Sequence, residues 1–438
     1  METRTFQGGA HIPHYKSYSE DKPIAVMETP EQVIVPMVQH GGAPCQPLVK
    51  AGDQVEIGQK IGDSEEYVSA PVHASVGGVV KAVEKRPYYD GSEVESVVIE
   101  TDPNKTEFQP QVERNPEDMS VDEIKEAIKE AGLVGMGGAA FPTYVNINQS
   151  KPIDTLLVNG AECEPFLTCD HRQMVELAGK LVSGVRILMR TIGATKCSIG
   201  IEVNKPDAID VVQKEIGSDS SIEVVPLEVK YPQGFKSHLI KAVTGRDVPR
   251  GARSAELGCI VRNVGTTIAA YEAVVYGKPL IERVVTVSGP KVTRPGNYVI
   301  KVGTPVGFAL QQCGVNLDQL ENHKVIVGGP MTGLAQENLE VPIIKSNTGL
   351  LVLPPEMIPE EDYQDCVRCG KCTDHCPMFL YPNHISTFAE ALMLEEAQEW
   401  NIMDCIECGI CAFMCVANRP IVQMIQSAKR EIEKAKRK

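Results

Sequence analysis

Two cysteine runs dominate the C-terminal part of the sequence: CVRCGKCTDHCP at residues 366–377 and CIECGICAFMC at residues 405–415. Each run has three cysteines separated by two residues and a fourth cysteine after three more. Thiolates are soft donors that suit iron–sulfur units. A gap of two residues lets three sulfurs from one tight loop reach three corners of a cubane. The doubled spacing therefore predicts two [4Fe–4S] clusters.

The fourth cysteine of each run is expected to ligate the other cluster, as in bacterial two-cluster ferredoxins. Glycine tolerates positive φ angles, and Gly370 and Gly409 therefore suit the tight loops. The predicted ligand sets are Cys366, Cys369, Cys372 and Cys415 for one cluster, and Cys405, Cys408, Cys411 and Cys376 for the other.

Two other interpretations of the cysteine runs are weaker. Zinc sites use two separated Cys or Cys/His pairs rather than tandem triplets with a trailing cysteine. A disulfide framework suits a small secreted domain, and nothing else in the sequence indicates secretion. The cysteines outside the runs show no metal spacing, and most are expected to be small core residues: Cys45, Cys163, Cys169, Cys197, Cys259 and Cys313.

Composition and charge narrow the class of protein. The length of 438 residues suggests about three domains, and 42% hydrophobic with 23% charged residues is ordinary for a globular protein. The net charge of −15 argues against nucleic acid as a general partner. No apolar run approaches the ~20 residues of a transmembrane helix, and residues 1–10 have no apolar signal-peptide core. These features predict a cytoplasmic chain, where thiols stay reduced.

The N-terminal quarter is expected to be all-β. Strand-like runs at 32–38 and 97–100 flank two alternating segments, 49–61 and 70–80, which turn on Gly-Asp or Gly-Gly. This pattern resembles the barrel-sandwich fold of lipoyl and biotinyl domains. In those domains a lysine carries the prosthetic group, but the segment 63–69 contains no lysine. A structural role is therefore expected for this domain.

A helix and a glycine-rich loop open the next part of the chain. Residues 102–119 have the composition of a linker. Ser120 followed by Glu123 predicts a capping box, and Gly132 is expected to end the helix. The loop GLVGMGGAAFPT follows at 132–143, where glycines let backbone N–H groups approach an anion. A helix starting just beyond would add its dipole, although such a loop is also compatible with a plain turn.

The central part of the chain alternates between strand-like and helical segments up to about residue 280, which predicts a mainly parallel, doubly wound sheet. The first strand, 154–159, runs into the acidic turn NGAECEP at 159–165. Because ligands bind at the C-terminal ends of strands in such sheets, these acidic groups can hold ribose hydroxyls or the edge of a flavin. A solvated acidic turn is the alternative. The further expected elements are helices at 172–191, 207–215, 236–244 and 266–276 and strands at 196–203, 221–226 and 259–261.

The pattern changes again after residue 281. Strands are expected at 284–288, 296–302 and 324–327, with one helix at 306–312, as in a small α+β module. A linker rich in Pro and Glu at 354–362 leads into the cysteine runs, which one helix at 386–400 separates. The basic residues at 429–438 are expected to form a solvated helix end.

The glycine loop and the acidic turn together resemble the flavin- and NADH-binding subunit of respiratory complex I. Within that superfamily the whole chain resembles the RnfC family, the peripheral subunit of Rnf ferredoxin:NAD+ oxidoreductases. The domain order is similar over nearly the full length. The matching segments are GMGGAAFPT at 135–143, NGAECEP at 159–165, GGAH at 8–11 with Pro13 and Lys16, SG at 288–289 and RPG at 294–296.

The resemblance implies noncovalent FMN over the glycine loop, with NADH stacked on the flavin and no catalytic acid or base supplied by the protein. Electrons would pass between the two clusters and FMN to reduce NAD+, or in reverse. The whole complex would couple this transfer to the transport of Na+ or H+. By motif matching, the cofactor-binding residues are Gly135, Gly137, Gly138, Asn159, Glu162, Glu164 and Asn263.

The resemblance also implies partners and a location. The expected partners are other Rnf subunits, including an iron–sulfur subunit and integral membrane subunits, with ferredoxin acting indirectly and no nucleic acid. The expected location is peripheral, at the cytoplasmic face of the cell membrane.

Two alternatives remain open. Asn146 stands where relatives usually have lysine, Lys236 where relatives often have glutamate, and Ala161 replaces an aspartate of the complex I subunit. These departures motivate a cluster relay or scaffold subunit without nucleotide binding. The second alternative is the cobalamin reductase of propanediol-using microcompartments, which is similar in domain content.

The sequence thus predicts a multidomain α/β chain. The expected domains are a barrel-sandwich β domain at 1–115, a Rossmann-like FMN/NADH domain at 116–281, a β-grasp module of the soluble-ligand-binding type at 282–353 and an α-helical dicluster ferredoxin-like domain at 354–438.

Overall fold

The structure is a computed structural model, and it describes residues 2–138, 140–358 and 363–436. Within these ranges no helix is both long and apolar enough to cross a membrane. Four sheets and a C-terminal group of helices make up the fold.

The N-terminal domain consists of two antiparallel sheets that face each other. The strand order is Gln32–Pro36, Glu93–Thr101, Gly78–Pro87 and Gln54–Val55 in one sheet, and Gln46–Pro47, Lys60–Asp63 and Val72–His73 in the other. Alternate side chains of a strand point to the same face, and Val33, Val35, Ile61, Val97 and Ile99 fill the space between the sheets. The expected β character of this region is confirmed.

The first residues of the chain lie outside these two sheets, although the predicted domain range begins at residue 1. Ala25–Val26 pairs in parallel with the strand Gly296–Lys301. Single bridges join Arg4 to Leu227 and Ala10 to Tyr231. The segment before Gln32 therefore satisfies part of its backbone on the edges of two later domains.

The central domain is a parallel sheet with the strand order Ile222–Leu227, Lys196–Glu202, Thr155–Gly160 and Cys259–Asn263. Because the first strand lies in the middle and the fourth lies on its other side, the order reverses between Thr155–Gly160 and Cys259–Asn263. Ligands bind at such a switch point. The helices of this domain are Val121–Glu130, Thr143–Ile147, Cys169–Glu176, Ala178–Ile192, Pro206–Ile216, Lys236–Thr244 and Val264–Tyr276.

Local sequence signals explain several of these helices. Ser120 and Glu123 form the predicted capping box, in which each side chain accepts a hydrogen bond from the other residue's backbone. The helix predicted at 172–191 is instead two helices, which break at Leu177. The helix just after the glycine loop, Thr143–Ile147, has only five residues. The long helix whose N-terminus meets that loop is Val264–Tyr276, and it comes from the far end of the domain.

The third domain contributes most of a six-stranded sheet. Its strand order is Ala25–Val26, Gly296–Lys301, Glu282–Ser288, Gly349–Leu353, Lys324–Val327 and Leu334–Gln336. The helix Val306–Gln312 packs on this sheet and buries Val306, Ala309 and Leu310 in its core. The predicted strands and helix are present, and the sequence did not indicate Leu334–Gln336 or Gly349–Leu353.

The C-terminal domain is helical. Its helices are Lys371–Asp374, Pro382–Glu390, Leu394–Glu399, Ile410–Phe413 and Ile421–Lys436. The single helix predicted at 386–400 is wrong, because the chain breaks at Leu392, whose φ is 57°. Residues 359–362 of the predicted linker, and Arg437 and Lys438 of the basic end, lie outside the described residues.

Candidate functional site

A cavity of about 520 Å³ lies at the switch point of the parallel sheet. Asn159 and Asn263, which are paired neighbours at the ends of the two central strands, both line it. Its volume is in the range of about 300–1,000 Å³ that is usual for cofactor sites. Six of the predicted cofactor residues line the cavity: Gly137, Gly138, Asn159, Glu162, Glu164 and Asn263.

The glycine loop is held over a helix N-terminus. The Asn263 side chain caps the helix Val264–Tyr276, because its Oδ1 accepts from Gly265 N at 2.8 Å. The backbone N–H of Met136 donates to Thr266 Oγ1 at 2.9 Å and fastens the loop to the first turn of that helix. A Cβ at Gly137 would lie 3.3 Å from Asn263 Cβ. Backbone donors and a helix dipole therefore meet at this wall, which suits a phosphate.

The remaining predicted glycine, Gly135, does not line the cavity. Its backbone N–H donates to Phe141 O at 2.8 Å and closes the base of the loop. Gly138, in contrast, has a φ of 122°, a conformation that side chains rarely adopt, and a Cβ there would meet open space. The loop thus presents Gly137 and Gly138 to a ligand, whereas Gly135 shapes the turn.

The two glutamates of the acidic turn reach the cavity already fixed in position. Glu162 accepts hydrogen bonds from the backbone N–H groups of Asp170 at 2.7 Å and His171 at 3.2 Å, and so caps the helix Cys169–Glu176. Glu164 accepts from Met331 N at 3.2 Å and from the Thr332 hydroxyl. Burial raises the pKa of Glu164, and these donors oppose the rise. The acidic turn is therefore anchored to a helix and to the third domain.

A fully enclosed lysine supports the same turn from below. Lys16 is only 4% exposed, and its Nζ donates to the carbonyl oxygens of Glu162 at 2.8 Å, Glu164 at 3.0 Å and Leu167 at 2.5 Å. Burial lowers the pKa of this ammonium. The N-terminal segment that carries Lys16 is thus part of the site, although the sequence alone linked Lys16 only to a family motif.

Several cavity residues were missed by sequence reasoning. Cys163 and Cys169, taken as core residues, both line the cavity. Asp170 also lines it, and burial together with the charge of Glu162 raises its pKa to about 7. Tyr89 comes from the β domain and Arg430 from the last helix. The position of Asp170 in the first turn of a helix was a usable signal, whereas nothing local indicated the two residues from other domains.

The thiols of the two cysteine runs surround two separate small cavities. One is lined by Cys366, Cys369, Cys372 and Cys415, and the other by Cys376, Cys405, Cys408 and Cys411. Each run therefore contributes its fourth cysteine to the other site. The two loops also share a conformation, because φ is positive at Arg368 and Glu407 (55° and 56°) and at Gly370 and Gly409 (80° and 87°).

These thiol sites fit a cluster better than a single ion. In the part of the chain that the structure describes, no three His, Cys, Asp or Glu side chains converge around one metal ion. Burial raises the pKa of Cys408 to about 12 and also raises the pKa of Cys411. Thiolates at these positions therefore need a compensating cation, which the iron of a [4Fe–4S] unit supplies.

Tyr231 connects the large cavity with the second thiol site. Its hydroxyl donates to the Cys408 carbonyl at 2.7 Å and lies 3.5 Å from Glu164 Oε1. Cys163, which lines the cavity, belongs to the same apolar cluster as Cys408, together with Ala10, Ile12, Tyr231, Met331, Ile410 and Met414. The site containing Cys408 is thus the nearer one to the cavity. The other site includes the exposed thiol of Cys369.

Comparisons with known families match each domain in turn. Residues 4–104 match the RnfC barrel sandwich hybrid domain, and residues 128–272 match the Nuo51 FMN-binding domain. Residues 284–335 match the SLBB domain, and residues 358–417 match the 4Fe-4S dicluster domain. The fold, the cavity and the thiol sites together define a flavin- and iron–sulfur-dependent electron-transfer protein.

Similar proteins extend over the full chain. The RnfC-type subunit of the Na+-translocating ferredoxin:NAD+ oxidoreductase complex of Acetobacterium woodii is 44% identical, over 99% of this chain and 98% of that protein. The corresponding subunit of the proton-translocating complex of Clostridium ljungdahlii is 42% identical, over 98% of this chain and 94% of that protein. The chain belongs to this family, the RnfC subunits of ion-translocating ferredoxin:NAD+ oxidoreductases.

Solved structures support the fold alone. An NAD+-reducing [NiFe]-hydrogenase in its H2-reduced state is similar with a TM-score of 0.52 and 21% identity, over 72% of this chain and 63% of that chain. The air-oxidised form gives a TM-score of 0.50 and 19% identity, over 76% of this chain and 67% of that chain.

Proposed function

We propose that this chain is the peripheral electron-transfer subunit of a membrane-bound ferredoxin:NAD+ oxidoreductase, which reduces NAD+ or runs in reverse while the whole complex translocates ions. The observation that carries the proposal is the contact between the switch-point cavity and a four-thiol site within one chain, through Tyr231. Bound FMN supplies the conversion between two-electron hydride chemistry and the one-electron chemistry of clusters.

The residues of the chain take distinct roles in this proposal. Gly137 and Gly138 let the cofactor approach the backbone, and Asn263 sets the helix N-terminus behind them. Asn159 donates to Gly234 O at 2.8 Å and thereby joins two loops of the cavity. Glu162 and Glu164 present carboxylates whose positions are fixed by other residues. No side chain is required to act as a general acid or base.

The arrangement of the thiol sites implies an order of transfer. The cluster held by Cys376, Cys405, Cys408 and Cys411 is next to the cavity and exchanges electrons with the flavin. The cluster held by Cys366, Cys369, Cys372 and Cys415 is the more accessible one, because Cys369 is exposed. It receives electrons from a partner iron–sulfur subunit of the complex, which stands between this chain and ferredoxin. Integral membrane subunits complete the complex and hold this chain at the cytoplasmic face.

The finer description of the fold belongs to the same proposal. The domains are a barrel sandwich at 1–115, a Rossmann-like domain at 116–281, a β-grasp module at 282–353 and a dicluster domain at 354–438. The four family matches each fall inside one of these ranges. The observed sheet of the third domain, with a helix on one face, is compatible with the β-grasp description.

The relatives separate the alternatives. Full-length similarity to the corresponding subunits of two oxidoreductase complexes favours the oxidoreductase function over a cobalamin reductase or a relay subunit. Neither Asn146 nor Lys236 lines the cavity. The two relatives are named for different ions, Na+ and protons, so membership of the family does not specify the coupling ion.

An anaerobic titration tests the proposal. The full chain is loaded with iron, sulfide and FMN, and NADH is added while absorbance is recorded. Bleaching of both the flavin bands and the broad iron–sulfur absorbance is expected. A Cys405→Ala/Cys408→Ala variant is the matched control, because NADH should still bleach its flavin but reach the remaining cluster far more slowly. Wild-type protein that dithionite bleaches and NADH does not would contradict the proposal.

A further inference from the structure

Arg430 is the unusual residue in the wall of the large cavity. It lies on the helix Ile421–Lys436 of the iron–sulfur domain, far in sequence from the flavin domain. Among the described residues that line the cavity, it is the one with a cationic side chain. The other ionisable groups of the wall are thiols, one tyrosine and carboxyl groups, the latter being Asp90, Glu162, Glu164 and Asp170.

The Arg430 guanidinium is free, whereas its neighbours on the helix are engaged. It makes no hydrogen bond or ion pair with any residue in the described ranges. Lys429 donates to the Cys405 carbonyl at 2.8 Å and also pairs with Glu407. Gln426, one turn earlier, donates to Glu407 Oε2 at 3.0 Å. These contacts fasten the helix to the cluster loop and hold Arg430 at the cavity with all its donors available.

The chemistry of the cavity indicates what a free arginine binds there. FMN and NAD(H) both carry phosphate, and phosphate is poorly accommodated beside several carboxylates without a cation. The glycine loop and the N-terminus of Val264–Tyr276 offer backbone donors to one phosphate. A guanidinium adds a planar fork that binds phosphate through two hydrogen bonds.

We propose that Arg430 binds a phosphate group of a nucleotide in this cavity, so that the iron–sulfur domain completes the nucleotide site. The inference rests on the proposed function, because it takes the cavity as the FMN and NAD(H) site. Two nucleotides supply the same chemistry: the monophosphate of FMN and the diphosphate of NAD(H). The diphosphate is the expected ligand, since the glycine loop already serves the flavin phosphate. A consequence is that nucleotide affinity depends on the docking of the last helix.

The test compares Arg430→Gln with Lys434→Gln in the full chain loaded with clusters and FMN. Lys434 is an exposed lysine on the same helix and pairs with Glu431 at 2.7 Å, so its loss changes the net charge equally without touching the cavity. NAD+ binding is measured by calorimetry, and FMN binding to the flavin-free protein is measured by fluorescence quenching. The loss of a charged hydrogen bond is expected to raise one dissociation constant about ten- to hundredfold. Arg430→Lys should retain part of the affinity.

Each outcome decides the assignment. A raised Kd for NAD+ alone identifies the diphosphate as the ligand, and a raised Kd for FMN alone identifies the flavin phosphate. Arg430→Gln protein that binds both nucleotides as tightly as the Lys434→Gln protein overturns the inference. A wild-type chain that binds FMN but not NAD+ counts against the proposed function instead, and the FMN measurement then decides the role of Arg430.

Discussion

Replacing Lys16 with methionine tests whether the buried ammonium positions the acidic turn of the flavin site. Methionine keeps the length of the side chain but cannot donate to the carbonyl groups of Glu162, Glu164 and Leu167. All three acceptor residues line the cavity. The change should therefore weaken both the fold and cofactor binding.

The structure sets the size of the effect. A buried carbonyl without a donor costs about 1–3 kcal/mol, and three are left here, but the variant no longer buries an ammonium. The net loss should be about 3–5 kcal/mol, as for other broken buried charge contacts. If about a third of this loss falls on the bound state, FMN affinity drops roughly tenfold, since about 1.4 kcal/mol corresponds to a factor of ten.

Lys345 provides the matched control for this experiment. It is also buried, at 1% exposure, and donates to the carbonyl groups of Pro71 at 2.7 Å and Gly132 at 2.8 Å. Neither acceptor lines the cavity. Thermal unfolding and FMN fluorescence quenching are measured for both variants. Lys345→Met should unfold at lower temperature with a nearly unchanged Kd for FMN, whereas Lys16→Met should show both effects. Equal FMN affinities in the two variants would refute the positioning role.

Three further predictions concern the clusters, the pH dependence and the contact between the cofactor sites. Cys415→Ala should alter the same cluster signal in electron paramagnetic resonance as Cys366→Ala, and different signals would contradict the shared ligand set. The raised pKa of Asp170, about 7, means that the folded state holds a proton which the unfolded state releases near pH 4. Stability should therefore fall as the pH rises from about 4 to 7, and Asp170→Asn should flatten that slope in unfolding curves. Tyr231→Phe removes the hydrogen bond to the Cys408 carbonyl, worth about 1 kcal/mol. In stopped-flow measurements it should slow cluster bleaching by NADH but not flavin bleaching, and equal slowing of both would point to a general defect.

Local sequence signals accounted for much of the central fold. The helix Lys236–Thr244 and the strand Lys324–Val327 have the bounds that periodicity predicted. The capping box at Ser120 depends on residues three apart, and such short-range contacts are readable from the sequence. The helix predicted at 386–400 failed because apolar periodicity continues through Leu392, whereas the backbone there adopts a positive φ.

The candidate site was only partly accessible in the same way. Gly137, Gly138, Asn159, Glu162 and Glu164 lie in two motifs that a sequence displays directly, and both motifs reach the cavity. The helix N-terminus expected immediately after the glycine loop comes instead from residue 264 onwards, over a hundred residues later. Sequence proximity could not reveal this, because the sheet order brings the fourth strand next to the first.

By itself, the sequence determined the chemistry of this protein. The cysteine spacing specified four thiolates for each cluster, and the glycine and acidic motifs specified a nucleotide site, because ligand type and loop geometry are local properties. Only the tertiary structure decided which groups share a site. Packing of the N-terminal segment and the last helix against the flavin domain brings Lys16 under the acidic turn and Arg430 to the cavity wall. Such contacts form between distant segments that bury surface together, and no local pattern encodes them.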